Sequence, residues 1–133
     1  MTHISENPAD STKVLICFET GVLCLWDLPS KRGEQRYNHS SRVTSVAWHH
    51  EGRQFVCSCR DGSLVTWNIR PQGGKPVSTV FPHKNKGVAE CDAIEKVSWV
   101  VSRDGDSYLV FSGGLPQVRR MVIVVSMMFF LSL

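Results

Sequence analysis

Gln54 to Ile69 reads QFVCSCRDGSLVTWNI, and forty-one residues earlier Lys13 to Leu28 reads KVLICFETGVLCLWDL. The shift aligns Gly21 with Gly62, Leu23 with Leu64, Trp26 with Trp67, Asp27 with Asn68 and Leu28 with Ile69, without a gap. Each copy is a short apolar run, a glycine turn and a second apolar run. Val14 to Phe18 has strand length, and Glu19-Thr20-Gly21 turns the chain back. In the second copy Asp61-Gly62 lies between two apolar runs, which marks a hairpin. A two-residue type I′ turn there predicts positive φ at both central positions. Val43 to Trp48 supplies a further strand ahead of the second copy, closed by the His49-His50-Glu51-Gly52 turn. No stretch carries the i, i+3, i+4, i+7 face of an amphipathic helix.

A third copy is weaker. Val46-Ala47-Trp48 recurs as Val97-Ser98-Trp99, the Gly52 turn as Arg103-Asp104-Gly105, and Phe55-Val56-Cys57 as Val110-Phe111-Ser112. Between the copies Pro71 to Ala93 reads as a long surface connection holding Gly73-Gly74, Pro76, Pro82, Lys84, Lys86 and Gly87. Strand-only repeats of about 40–45 residues are the mark of a four-stranded propeller blade. The expected fold is all-β: a partial propeller of about two and a half blades. Residues 1–12 read as the N-terminal segment of an incomplete blade, 13–115 as the propeller segment and 116–133 as a divergent apolar tail.

Composition bounds the function. With 133 residues there is room for one small domain, and a net charge of +3 with no dense basic stripe argues against a dedicated nucleic-acid binder. The first twelve residues hold Glu6 and Asp10 and no apolar run, unlike a secretory signal. Five cysteines, an odd number, then read as reduced thiols in a cytosolic chain. Residues 121–133, MVIVVSMMFFLSL, are uncharged, but thirteen residues make a helix of about 20 Å. That falls short of the ~30 Å hydrocarbon core, so no membrane span is expected.

Tyr37 to Ile69 resembles the WD-repeat pattern throughout. His39 stands in the entry loop, Val43 and Val46 on the inner strand, Gly52 and Asp61-Gly62 in the two turns, and Trp67-Asn68 where the family has Trp-Asp. That resemblance implies a structural network of His39, Cys57, Asp61 and Trp67, with Cys57 replacing the usual hydroxyl. A thiol is the weaker donor. In the first copy Ile16 and Thr20 replace the hydroxyl and the Asp, and only Trp26 remains. In the third, Ser112 is expected to restore the hydroxyl.

Narrower features also stand out: Asn7-Pro8-Ala9-Asp10 before Lys13-Val14-Leu15-Ile16, Trp26-Asp27-Leu28, Trp48-His49-His50-Glu51-Gly52-Arg53-Gln54-Phe55, and Phe111-Ser112-Gly113-Gly114-Leu115. From Asn7 to Leu115 the chain resembles the lethal giant larvae family, on its tomosyn branch. The resemblance implies a piece of a large two-propeller regulator of SNARE assembly, exocytosis and cell polarity. It implies syntaxin-type SNAREs as partners and a cytoplasmic location with peripheral plasma-membrane association. The alternative it implies is a polarity scaffold that binds kinases and cytoskeletal motors. Beyond Leu115 the pattern stops, so the chain is expected to be a fragment or truncated product.

Catalytic chemistry finds no support in the motifs. The sequence has no nucleophile elbow, zincin helix or phosphate loop, and Gly73-Gly74 and Gly113-Gly114 are lone pairs. Cys57 and Cys59 with His49 and His50 lack the paired spacing of a zinc site, so no metal is expected. Asp104-Gly105-Asp106 reads as a hairpin turn rather than a calcium loop, lacking the later acidic ligand. No cofactor is implied, and no residue is singled out for partner binding.

Overall fold

The computed structural model describes residues 3–82, 93–113 and 122–126. Three antiparallel sheets follow one another along the chain. The first is a meander of β1 (His3–Asn7), β2 (Asp10–Cys17), β3 (Val22–Asp27) and β4 (Arg32–Asn38). The second runs β5 (Val43–Trp48), β6 (Gln54–Cys59), β7 (Leu64–Asn68) and β8 (Ser78–Val80). The third pairs β9 (Ile94–Val101), β10 (Ser107–Gly113) and β11 (Val122–Ser126), with β10 in the middle. This is the expected partial propeller.

The middle sheet shows why these residues form strands. All six residues of β6 are buried. Strand side chains alternate between faces, so one strand serves two cores. Phe55, Cys57 and Cys59 join Val65 and Trp67 in a cluster with Leu15, Cys17, Leu23, Leu25 and Tyr37 of the first sheet. Val56 and Leu64, on the opposite face, join Ile94, Val97, Leu109 and Phe111 of the third. Burying each large side chain contributes about 1.5–3 kcal/mol, and this face-to-face stacking is the main force holding the sheets in order. Polar pins cross the same seams. Asn7 Nδ2 donates to the Gly52 carbonyl at 3.1 Å, and Thr44 Oγ1 donates to the carbonyl of Ile94.

Several local expectations need correction. The β6–β7 hairpin is not a type I′ turn. Gly62 N–H donates to the Cys59 carbonyl at 3.1 Å and Cys59 N–H to the Ser63 carbonyl at 3.0 Å. Positive φ occurs at Gly62 (86°) but not at Asp61. That is the three-residue loop, in which a left-handed glycine closes an ordinary turn. Phe18 to Val22 and Ser102 to Asp106 repeat the same bonding with Gly21 and Gly105. The hairpin reading of Asp104-Gly105-Asp106 therefore holds.

The third repeat is in register one residue earlier than expected. Trp48 pairs with Phe55, and Trp99 pairs with Leu109. If the two tryptophans correspond, Phe55 and Cys57 match Leu109 and Phe111, not Val110 and Ser112. A one-residue slip exchanges the faces of a strand. Burial agrees with the corrected register, since Leu109 and Phe111 are the residues turned into the core.

The connection from Pro71 to Ala93 also does more than link repeats, because β8 lies within it and pairs with β7. Lys84, Lys86 and Gly87 lie outside the described residues, as do Gly114, Leu115 and Arg119-Arg120. At the ends, β1 falls within residues 1–12 and pairs with β2, while β11 falls within the apolar tail and pairs with β10.

Candidate functional site

The polar cluster implied by the repeat sits on the β6–β7 turn and the β4–β5 loop. His39 Nε2 lies 3.9 Å from Asp61 Oδ2. Asp61 is held from two sides: its N–H donates to Ser41 Oγ at 3.1 Å, and its Oδ1 accepts the Ser63 N–H at 3.0 Å and the Ser63 hydroxyl at 2.5 Å. An aspartate that bonds the backbone two residues on stabilises this turn locally, which explains its place before Gly62. Ser63 Oγ also stands 3.4 Å from His39 Nε2.

His39 and Asp61 therefore approach each other at the turn, with Ser63 between them. The thiol beside them is Cys59, which with His39 and Asp61 brings its donor atom into a group spanning no more than 4.8 Å. Cys57, one pleat back on the same face, lies in the apolar cluster with Trp67. The Trp67 indole N–H has no hydrogen-bond partner among the described residues, so its part in the cluster is packing. Ser63 and Cys59 were the residues that sequence reasoning missed. Their signal was present: Cys59 shares the face of Cys57, and Ser63 follows directly on Asp61-Gly62.

Nitrogen, sulfur and oxygen donors this close have the chemical variety of a metal site. Their hydrogen bonds point elsewhere, because Asp61 is already engaged by Ser41 and Ser63. Burial pushes the Cys59 thiol up to about 12, against the opposing pull of its bond to Ser63. The Ser63 hydroxyl meanwhile engages both neighbours. The arrangement pins the turn to the loop. His49, the other histidine considered, turns its ring toward His50 at 4.3 Å and Trp99 at 4.9 Å.

The first copy uses backbone where the second uses side chains. Gly21, at φ +89°, lies so close under the β4–β5 loop that an added Cβ would stand 2.4 Å from the His39 carbonyl oxygen. The Gly21 carbonyl accepts the His39 N–H at 3.1 Å. The turn of one blade thus supports the loop that carries the histidine of the next. At the end of the first sheet's strands opposite the Gly21 turn, Lys13 Nζ bonds Asp27 Oδ1 at 2.7 Å and also Glu34. Asp27 is lowered to about 2, first by Lys13 and then by Ser30.

No family model matches the chain. Curated relatives do. "LLGL scribble cell polarity complex component 2" of Danio rerio is 33% identical over 116 residues, covering 86% of this chain and 11% of that protein. Its human counterpart is 28% identical over the same length and shares. "Lethal(2) giant larvae protein homolog 1" of Mus musculus is 28% identical over 111 residues, covering 81% of this chain and 10% of the relative. The chain thus spans about a tenth of the length of the curated relatives it matches.

Among solved structures, the WD40 domain of Toxoplasma gondii coronin superposes with a TM-score of 0.66 at 16% identity, over 94% of this chain and 33% of that one. The β-propeller domain of Myceliophteria thermophila Cps50 (Swd1) gives 0.58 at 15%, over 92% of this chain and 38% of that one. These likenesses concern the fold. Together the comparisons show a chain with the fold of part of a WD40-type propeller that is similar in sequence to lethal giant larvae proteins.

Proposed function

We propose that the chain is part of an interaction scaffold acting in cell polarity. The observation that carries this reading is the match to polarity-complex relatives over 86% of the chain, a chain whose described residues form three successive antiparallel sheets. The polar cluster supports it, because its groups brace a turn and a loop instead of facing a substrate. Stacked blades fix loop and edge positions for protein recognition without covalent chemistry. The polarity reading carries with it kinase and cytoskeletal-motor partners.

A second reading, regulation of SNARE assembly and exocytosis through syntaxin-type partners with peripheral plasma-membrane association, rests on the Trp48-His49-His50-Glu51-Gly52 stretch and its neighbours. The relatives named above are lethal giant larvae proteins, which favours polarity. Among the described residues no helix is long and apolar enough to cross a membrane.

The deciding experiment uses the full-length gene product in polarised epithelial cells. Cortical, polarised localisation with loss of polarity on depletion supports the first reading. Unpolarised localisation along the plasma membrane, with direct capture by the cytoplasmic part of a syntaxin and no loss of polarity on depletion, supports the second and removes the first.

A further inference from the structure

All three sheets meet at one turn, the His49-His50-Glu51-Gly52 connection between β5 and β6. On one side Asn7 of the first sheet donates its Nδ2 to the Gly52 carbonyl, and Gly52 lies so close to it that an added Cβ would collide with Asn7 Oδ1. On the other side the His49 ring meets Trp99 of β9 edge-on, centroids 4.9 Å apart at 75°. His49 is 3% exposed. Its N–H donates to the Gln54 carbonyl and its own carbonyl accepts the Gly52 N–H, both at 2.9 Å. One buried histidine thus closes the turn that touches both neighbouring sheets.

This geometry admits only the neutral ring. His49 Nδ1 accepts the Glu51 N–H at 3.3 Å. A neutral imidazole that accepts at one nitrogen carries its proton on the other. That nitrogen, Nε2, is buried without a hydrogen-bond partner among the described residues, as is the Trp99 indole N–H. A second proton would sit on Nδ1 and face the Glu51 N–H, donor against donor, in a seam that offers the charge no acceptor. The titratable groups acting on the ring are His50, centroids 4.3 Å away, and Glu51, both of its own turn. His50 opposes the charge and Glu51 favours it, and burial opposes it more than either. From the first sheet the turn meets the uncharged Asn7, and from β9 the ring meets the uncharged Trp99, while Glu95 and Lys96 of β9 are exposed.

We propose that His49 is a proton-operated latch between the sheets: neutral, it holds the turn closed against Asn7 and Trp99, and protonated, it releases the turn and loosens β9 with it. Histidine is the side chain whose charge changes in the range where such a release can be driven. The open state leaves the ring in water, where it titrates at its ordinary value, and the closed state resists the proton. Acid therefore favours opening.

Hydrogen exchange read by mass spectrometry on the full-length gene product, from about pH 7.5 to about pH 5, tests this. With intrinsic exchange rates factored out, protection of residues 49–54 and of β9 should be constant above about 6.5 and fall below it, by up to about tenfold per pH unit. β2 and β3 should keep theirs. His49→Asn retains an acceptor for the Glu51 N–H and takes no proton, so both segments should stay protected throughout. His50→Asn should leave the fall in place. No fall in the natural protein, a fall that survives His49→Asn or vanishes in His50→Asn, or a loss shared equally by β2 and β3 would each overturn the latch. So would a His49→Asn variant already unprotected at the highest pH, which would make the ring a packing group.

Discussion

The Tyr37 ring of the first sheet stands edge-on to Trp67 of the second, centroids 5.4 Å apart at 64°. Tyr37 also meets Phe55 at 4.9 Å and 84°, and its hydroxyl donates to the Ile69 carbonyl. One side chain from the outermost strand of a blade thus seals the face of the next. Its hydroxyl supplies the polar bond that the buried Trp67 indole lacks. Burial raises the phenol well above its usual range, so it remains a donor.

Truncating this contact should separate packing from hydrogen bonding. Tyr37→Phe keeps the ring and removes only the bond to Ile69, for a loss of about 1 kcal/mol. Tyr37→Ala or Trp67→Ala opens a cavity in the cluster and should cost about 3–5 kcal/mol. Thermal or denaturant midpoints on the full-length gene product check the ranking. Trp67→Ala that abolished partner binding with an unchanged midpoint would instead make Trp67 a contact residue.

The two cysteines of β6 should respond in opposite ways to the same change. Cys57 is enclosed in the apolar cluster, so Cys57→Ser leaves a buried hydroxyl without a ready partner and should cost about 1–3 kcal/mol. Cys59 sits against His39, Asp61 and Ser63, so Cys59→Ser exchanges a weak donor for a stronger one and should be neutral or stabilising. Equilibrium unfolding of the two variants side by side measures the difference. Equal losses would mean that the hydroxyl position of the repeat lies at neither residue.

The strands and their order were legible because turns and apolar runs recur at a fixed spacing, and a repeat of that length has few architectures. What was not legible was mostly a matter of one or two residues. The resemblance led to Cys57 where the structure brings up Cys59, because both thiols share a face and spacing does not say which pleat lies under a loop. The third repeat slipped by one residue because Leu109, Val110 and Phe111 are all apolar, so alternation there does not distinguish the faces. β8 was hidden in a connection rich in Gly and Pro. It has only three residues, and two of them are exposed.

Two glycines in equivalent turns should differ in what they tolerate. Gly21 and Gly105 have almost the same backbone, φ +89° and +88°. An added Cβ at Gly105 meets nothing within 4 Å, whereas at Gly21 it collides with the His39 and Ser41 carbonyls. Gly105→Ala should therefore cost only the left-handed penalty, about 1–2 kcal/mol. Gly21→Ala should cost clearly more, because backbone on both sides of the His39 loop must shift. Midpoints for the two variants decide it, and equal effects would show that the loop yields freely to the Gly21 turn.

Acid should weaken the fold in two separate windows. Burial holds the His49 imidazole below its ordinary value of 6.5, with His50 adding to the effect. The unfolded chain therefore takes up this proton before the folded one does. The stability contributed by neutral His49 is complete above 6.5 and falls as pH drops below it. Asp27 acts lower. Its carboxylate is held down at about 2 by Lys13, against 3.8 when free, so its contribution is complete above 3.8 and is lost as pH falls toward 2. Denaturant midpoints measured from pH 8 to pH 2 should decline in two steps. His49→Gln should flatten the first and leave the second, and Asp27→Asn should do the reverse. A decline near pH 6 that persists in His49→Gln would assign that step to another histidine.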